Sequence, residues 1–140
     1  MANNVTVRFE YRDNVQRFNL VYANGDSEQL ALTCVGTELY RLEESSFVGD
    51  AVFGDTIRAV KSEDGSLLFK EIAEHSELIT QSLILSAEFL QTERMRSILE
   101  KVMSAGGMWE QAFGGLLIIH APQQIATAVL DEIKEMSARR

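Results

Sequence analysis

The sequence predicts an α+β protein. An antiparallel, barrel-like sheet fills the N-terminal half, and a strand–helix–hairpin–helix lobe, half of a ferredoxin-like arrangement, follows it. Three observations carry this expectation. Up to residue 76, short alternations of apolar and polar residues are broken at close intervals by Gly and Asp, as in a small, strongly bent sheet. After Glu77 the apolar spacing changes to three and four, the period of amphipathic helices. The chain has 140 residues and a single proline, which fits one domain or two small lobes without a flexible linker. The expected lobes are 1–76 and 77–140, sharing one core.

Taken in order, Val5 to Tyr11 alternates Val5, Val7, Phe9 and Tyr11 against polar residues and predicts a strand. Gln16 to Ala23 predicts a second, with Phe18, Leu20 and Tyr22 on one face, and Asn24-Gly25-Asp26 turns the chain. Gln29 to Val35 follows, with Leu30, Leu32 and Cys34 inward, and Leu39 to Leu42 is a short strand. The stretch 38–61 is the centre of the pattern, with Gly49-Asp50 and Gly54-Asp55 set between apolar segments. Glycine reaches backbone angles that other residues avoid, and aspartate closes turns on itself. Thr56 to Lys61 and Leu67 to Ala73 are strands separated by Asp64-Gly65.

Leu78 to Leu85 reads as a longer strand. Met95, Ile98, Leu99, Val102 and Met103 then mark a helix over Thr92 to Ala105, capped by Thr92 and ended by Gly106-Gly107. Trp109 to Phe113 and Leu116 to His120 predict a hairpin with Gly114-Gly115 as a two-residue turn. Pro122 opens a final helix to Ser137 that buries Ile125, Val129, Ile133 and Met136.

A formal net charge of -8 repels phosphate backbones, and the basic residues are scattered apart from Arg139-Arg140, so no nucleic-acid partner is expected. The same charge favours fast association with a basic protein. One cysteine excludes an internal disulfide and fits a reducing compartment. The N-terminal residues lack the pattern of a signal peptide, and the apolar run Leu116 to Ile119 is far short of a membrane span. A soluble, cytoplasmic protein without a membrane partner is expected.

The residues able to do chemistry are few. His75 and His120 lack the spaced ligands of a metal site, and Cys34, alternating with Leu30 and Leu32, reads as a small core residue. Asp50 and Asp55, with Glu43 and Glu44 upstream, match no calcium loop and are explained by turn formation. Ser45-Ser46 lacks the glycine setting of an exposed nucleophile. No catalytic residue, cofactor or metal is therefore expected. Met108, Trp109 and Phe113 fit either a contact patch or the core.

The function that fits is a non-enzymatic protein-binding module, such as an immunity or antitoxin-like neutraliser of a basic protein. The acidic surface would be Glu43, Glu44, Asp50, Asp55, Glu63 and Asp64. The alternative is a small-ligand protein or enzyme with a pocket between the lobes lined by His75 or His120. A homodimer through exposed sheet edges is a third expectation.

Tyr40-Arg41-Leu42 ends a strand, Phe47 follows a few residues on, and Gly54-Asp55 leads into Thr56-Ile57. In this order the middle segments resemble the bacterial DUF4265 family of unknown function, and the resemblance extends loosely from Val5 to the C-terminus. Ser46 stands where that family usually has a proline. The resemblance implies a shared fold and no activity.

Overall fold

The computed structural model describes residues 6–7 and 15–138. In chain order the strands and helices are β1 (Thr6–Val7), β2 (Val15–Val21), β3 (Ser27–Gly36), β4 (Leu39–Leu42), β5 (Thr56–Lys61), β6 (Leu67–Glu74), β7 (Ile79–Ile84), α1 (Ala87–Leu90), α2 (Glu93–Ser104), β8 (Met108–Ala112), β9 (Leu116–Ala121) and α3 (Gln123–Ala138). They form two compact units. One holds the described residues from Val15 to Glu77, and the other holds Thr6–Val7 with the described residues from Leu78 to Ala138.

The first unit is a closed barrel of β2-β3-β4-β5-β6. Each consecutive pair is antiparallel, while the closing seam, Leu20↔Leu67 and Val21↔Leu68, is parallel. An odd number of strands in an up-and-down order requires this, because the fifth strand runs the same way as the first. Register shifts between Cys34 and Gly36, Thr56 and Ile57, and Arg58 and Ala59 supply the bends that so small a barrel needs. Leu20, Leu30, Leu32, Leu42, Ile57 and Leu67 fill it, with Phe18 and Tyr22 packed alongside as their alternation predicts.

Cys34 departs from the expectation. It shares the even-numbered side of β3 with Leu30 and Leu32, yet it is exposed, because the ladder is interrupted beyond it. Ala31 and Thr33, on the opposite side, are buried instead.

The second unit is a sheet in the order β1-β8-β9-β7 with all three helices. The predicted strand–helix–hairpin–helix order is present, with β1 and the one-turn α1 added. The N-terminal β1 pairs with β8 and joins this sheet rather than the barrel, so the boundary expected for 1–76 does not hold at its beginning. The rest of the strand expected over Val5 to Tyr11 lies outside the described residues. Leu117, Ile119 and Ala121 on β9 pack with Met95, Ile98 and Val102 of α2 and with Val129 and Ile133 of α3. This cluster shares no residue with the barrel's cluster.

Thr92 caps α2 by accepting from the Met95 amide, as its position predicts. The one-turn α1, capped by Ser86, has no sequence counterpart, because four residues are too few to show a period. The β8–β9 turn contains Phe113 as well as the two glycines, since Ala112 pairs with Leu116. Phe113 and Gly114 take φ of 56° and 81°, so the left-handed positions begin one residue earlier than expected.

Candidate functional site

The connection between β4 and β5, residues 43–55, is long for a small barrel and has no helix or strand of its own. Loops of this length are uncommon in compact domains and often functional. Backbone bonds lace it internally: the Ser46 amide donates to the Ala51 carbonyl at 3.0 Å, and the Asp55 amide to that of Val52 at 3.0 Å. Two more tie its ends to β3 and β4, from the Glu43 amide to the Ala31 carbonyl and from the Gly54 amide to that of Leu42, both at 2.9 Å.

Side-chain oxygens do the remaining work of ordering it. Glu43 Oε2 accepts from Thr33 Oγ1 at 2.7 Å and from the Arg41 guanidinium at 3.2 Å. Glu44 Oε2 accepts from the Ala31 amide at 2.7 Å and from Arg17 Nη1 at 3.2 Å. Asp55 receives the Ser76 amide on Oδ1 at 2.7 Å and the Val52 amide on Oδ2 at 3.0 Å. Ser45 Oγ accepts from the Phe53 amide at 3.0 Å. A carboxylate can leave water when charged or backbone donors replace its hydration.

Glu43, Glu44 and Asp55 are accordingly only 4%, 6% and 2% exposed. They are internal fasteners, which corrects their expected place on an acidic surface. A sequence shows that an acid is present near a turn, not whether backbone amides will reach it.

The loop's tip is fastened through Glu28, at the start of β3. Its carboxylate accepts from the Tyr22 hydroxyl, from Ser46 Oγ and, at 3.2 Å, from the Phe47 amide. Ser46 Oγ in turn accepts from the Gly49 amide at 2.7 Å. Burial, reinforced by the Glu28 carboxylate, pushes the Tyr22 phenol well above the ordinary tyrosine range, so it stays a donor. A side chain at Gly49 would bring its Cβ within 2.9 Å of the Tyr22 ring, and glycine is what allows this close approach.

From this clamped base Phe47 and Val48 project into solvent, 42% and 44% exposed. Asp50, also exposed, lies two residues on.

The other expected residues are dispersed. Glu63 and Asp64 are exposed in the β5–β6 turn, where Asp64 accepts from Ser62 Oγ at 2.5 Å and from the Ser66 amide at 2.9 Å. His75 is exposed, with Nδ1 3.8 Å from Asp55 Oδ2. His120 is inside β9 and fully buried. Met108 is buried, Trp109 packs against the helical core, and Phe113 alone of that group is exposed.

Among the described residues no group of three or more His, Cys, Asp or Glu could hold a metal ion, and no helix is long and apolar enough to cross a membrane. The exposed pair Phe47-Val48 was missed as a site. Its only sequence signal is two large apolar residues placed between Ser45-Ser46 and Gly49-Asp50, inside turn-forming residues.

No protein-family model and no curated protein matches the sequence. A crystal structure of a hypothetical protein from Neisseria gonorrhoeae is similar in fold, with a TM-score of 0.60 at 13% identity. The match covers 92% of this chain and 91% of that one. At that identity the likeness shows the fold alone.

Proposed function

We propose that this is a protein-binding module whose contact element is the β4–β5 loop. The observation that carries the reading is the exposure of Phe47 and Val48 on a loop held by Glu28, Glu43, Glu44 and Asp55. Apolar side chains on a preordered loop bind without a large ordering cost, and a buried aromatic anchor dominates many interfaces. With Asp50 beside them and a net charge of -8, the complementary partner is a basic protein with an apolar pocket. An immunity or antitoxin-like neutraliser is one such module. Of the six acids expected at the contact, Asp50, Glu63 and Asp64 remain available to steer it.

The residues behind the DUF4265 resemblance, Tyr40-Arg41-Leu42, Phe47 and Gly54-Asp55, lie in this loop or directly before it.

The test uses the chain as bait at low and at physiological salt, with captured proteins read by mass spectrometry. The wild type should retain a basic partner in stoichiometric amount, less of it as salt rises. The Phe47→Ser/Val48→Ser double variant should lose it, and Asp50→Lys should weaken it. A partner held equally well by the double variant would overturn the loop as the contact, and no partner at either salt would overturn the module.

A further inference from the structure

The second unit contains a polar cluster that the binding loop does not use. His120 and Glu110 are both 0% exposed, on strands whose other buried residues are apolar, such as Met108, Ala112 and Ile118. Thr80 on β7 lies directly opposite His120 on β9, and Glu110 on β8 lies diagonally across from it. Three adjacent strands thus place the three side chains on one sheet face.

Thr80 Oγ1 is 2.8 Å from His120 Nδ1, and His120 Nε2 is 2.5 Å from Glu110 Oε2. An ionised Glu110 can only accept, so Nε2 carries the proton and donates it; in the neutral ring Nδ1 is then the acceptor for the Thr80 hydroxyl. Thr80, at the outer end, is exposed. A buried carboxylate–imidazole pair is often no more stabilising than apolar residues of the same volume, and here its outer end reaches an exposed hydroxyl.

The backbone adds a second element. The Leu85 amide donates to the Gly115 carbonyl at 2.8 Å, continuing the β7–β9 register. Odd-numbered residues of β7 therefore bond to β9, and the amides of Thr80 and Ser82 point away from it. β7 ends the sheet's strand order, so the Thr80 N–H is directed at an open edge among the described strands. In serine hydrolases the nucleophile's own amide forms part of the oxyanion hole.

We propose that Thr80, His120 and Glu110 form a nucleophile relay that transfers the acyl group of an ester through Thr80. The Oγ1 attacks the ester carbonyl carbon while its proton passes to His120 Nδ1. The tetrahedral oxyanion is met by the Thr80 amide. On collapse the carbon–alkoxide bond breaks, and the alkoxide takes the proton from Nδ1 and leaves as the alcohol. Water then attacks the acyl-threonine, gives its proton to Nδ1 and releases the acid; Thr80 regains the proton. Thr80 and His120 are the catalytic residues. Glu110 is a positioning residue that fixes the tautomer.

The test incubates the full chain with p-nitrophenyl acetate and locates any acetyl group by intact mass and peptide mapping. Acetylation at Thr80 is expected, retained in Thr80→Ser and reduced about a hundredfold or more in Thr80→Val. Thr80 is exposed, so Thr80→Val should fold, and circular dichroism checks that it does. Glu110→Gln should slow labelling at Thr80 about tenfold or more while the circular dichroism spectrum stays as in the wild type, a loss of rate that a role confined to holding the sheet would not produce. Wild type unlabelled at Thr80, release of p-nitrophenol unchanged in Thr80→Val, or adducts on lysines alone would each overturn the relay.

Discussion

Both oxygens of Asp55 accept backbone amides from opposite directions, which makes this one side chain a joint between the β4–β5 loop and the end of β6. Asp55→Ala leaves the Val52 and Ser76 amides without that acceptor. Losing hydrogen bonds to a charged, buried group costs about 1.5–3 kcal/mol each, so a destabilisation above about 2 kcal/mol is expected in denaturant unfolding. Asp55→Asn keeps one acceptor oxygen and should cost less. Equal stability of all three proteins would refute the joint. Asp64 behaves differently because it is a surface residue held by its own turn. The Ser62 hydroxyl, then the Ser66 amide, hold its carboxyl at about 2, below the ordinary 3.8. The folded value is the lower, so its contribution to stability is fully present above pH 3.8 and lost as pH falls through about 2. In Ser62→Ala the carboxyl midpoint, followed by carbon NMR, should move up toward 3.8. The sequence showed each of these acids as a turn residue. Whether a turn stays in water or is covered depends on strands far away in the chain, and this is why Asp55 and Asp64, alike in sequence, diverge in role.

Elements were legible where they carry a repeating signal. The α2 helix announces itself through Met95, Ile98, Leu99 and Val102, all buried as their spacing predicts. Its exit shows how closely an element is fitted to the next. A Cβ on Gly107 would lie 2.4 Å from the His120 carbonyl oxygen and 2.8 Å from Val102 Cγ1, a clash with backbone that no rotamer relieves. Gly107→Ala should destabilise by about 1–3 kcal/mol or more. Gly65→Ala meets nothing within 4 Å but must hold φ near +90°, so it should cost only about 1 kcal/mol, through conformation alone. Thermal unfolding of the two variants separates packing from backbone strain, and the reverse order would show that the α2–β8 junction yields. The β4–β5 loop has no period to read. Its order comes from Glu28, Thr33 and Ser76, each contributed from outside the loop.

Each unit has its own apolar cluster, and this sets what a core deletion will do. Ile57 and Ile133 are both 0% exposed, one in the barrel and one under α3. Either change to Ala should cost about 2–5 kcal/mol. Hydrogen exchange should place the lost protection in β2 to β6 for Ile57→Ala, and in β7 to β9 with the helices for Ile133→Ala. Identical, chain-wide losses would show that the two clusters unfold as one cooperative body.

The sequence by itself determined the α+β class, the near-residue-77 change from short strands to helical periods, the caps and most of the turns. These are local: a period of two or of three to four, a threonine before a helix and an asparagine–glycine in a turn act through neighbours in the chain. Only the tertiary structure decided that β1 joins the second sheet, that Glu43, Glu44 and Asp55 lie inside, and that Phe47-Val48 stand out. It alone aligned Thr80, Glu110 and His120. Those outcomes depend on which distant strands pair and which backbone amides arrive at a given carboxylate. Such proximity in space leaves no mark on residues forty positions apart.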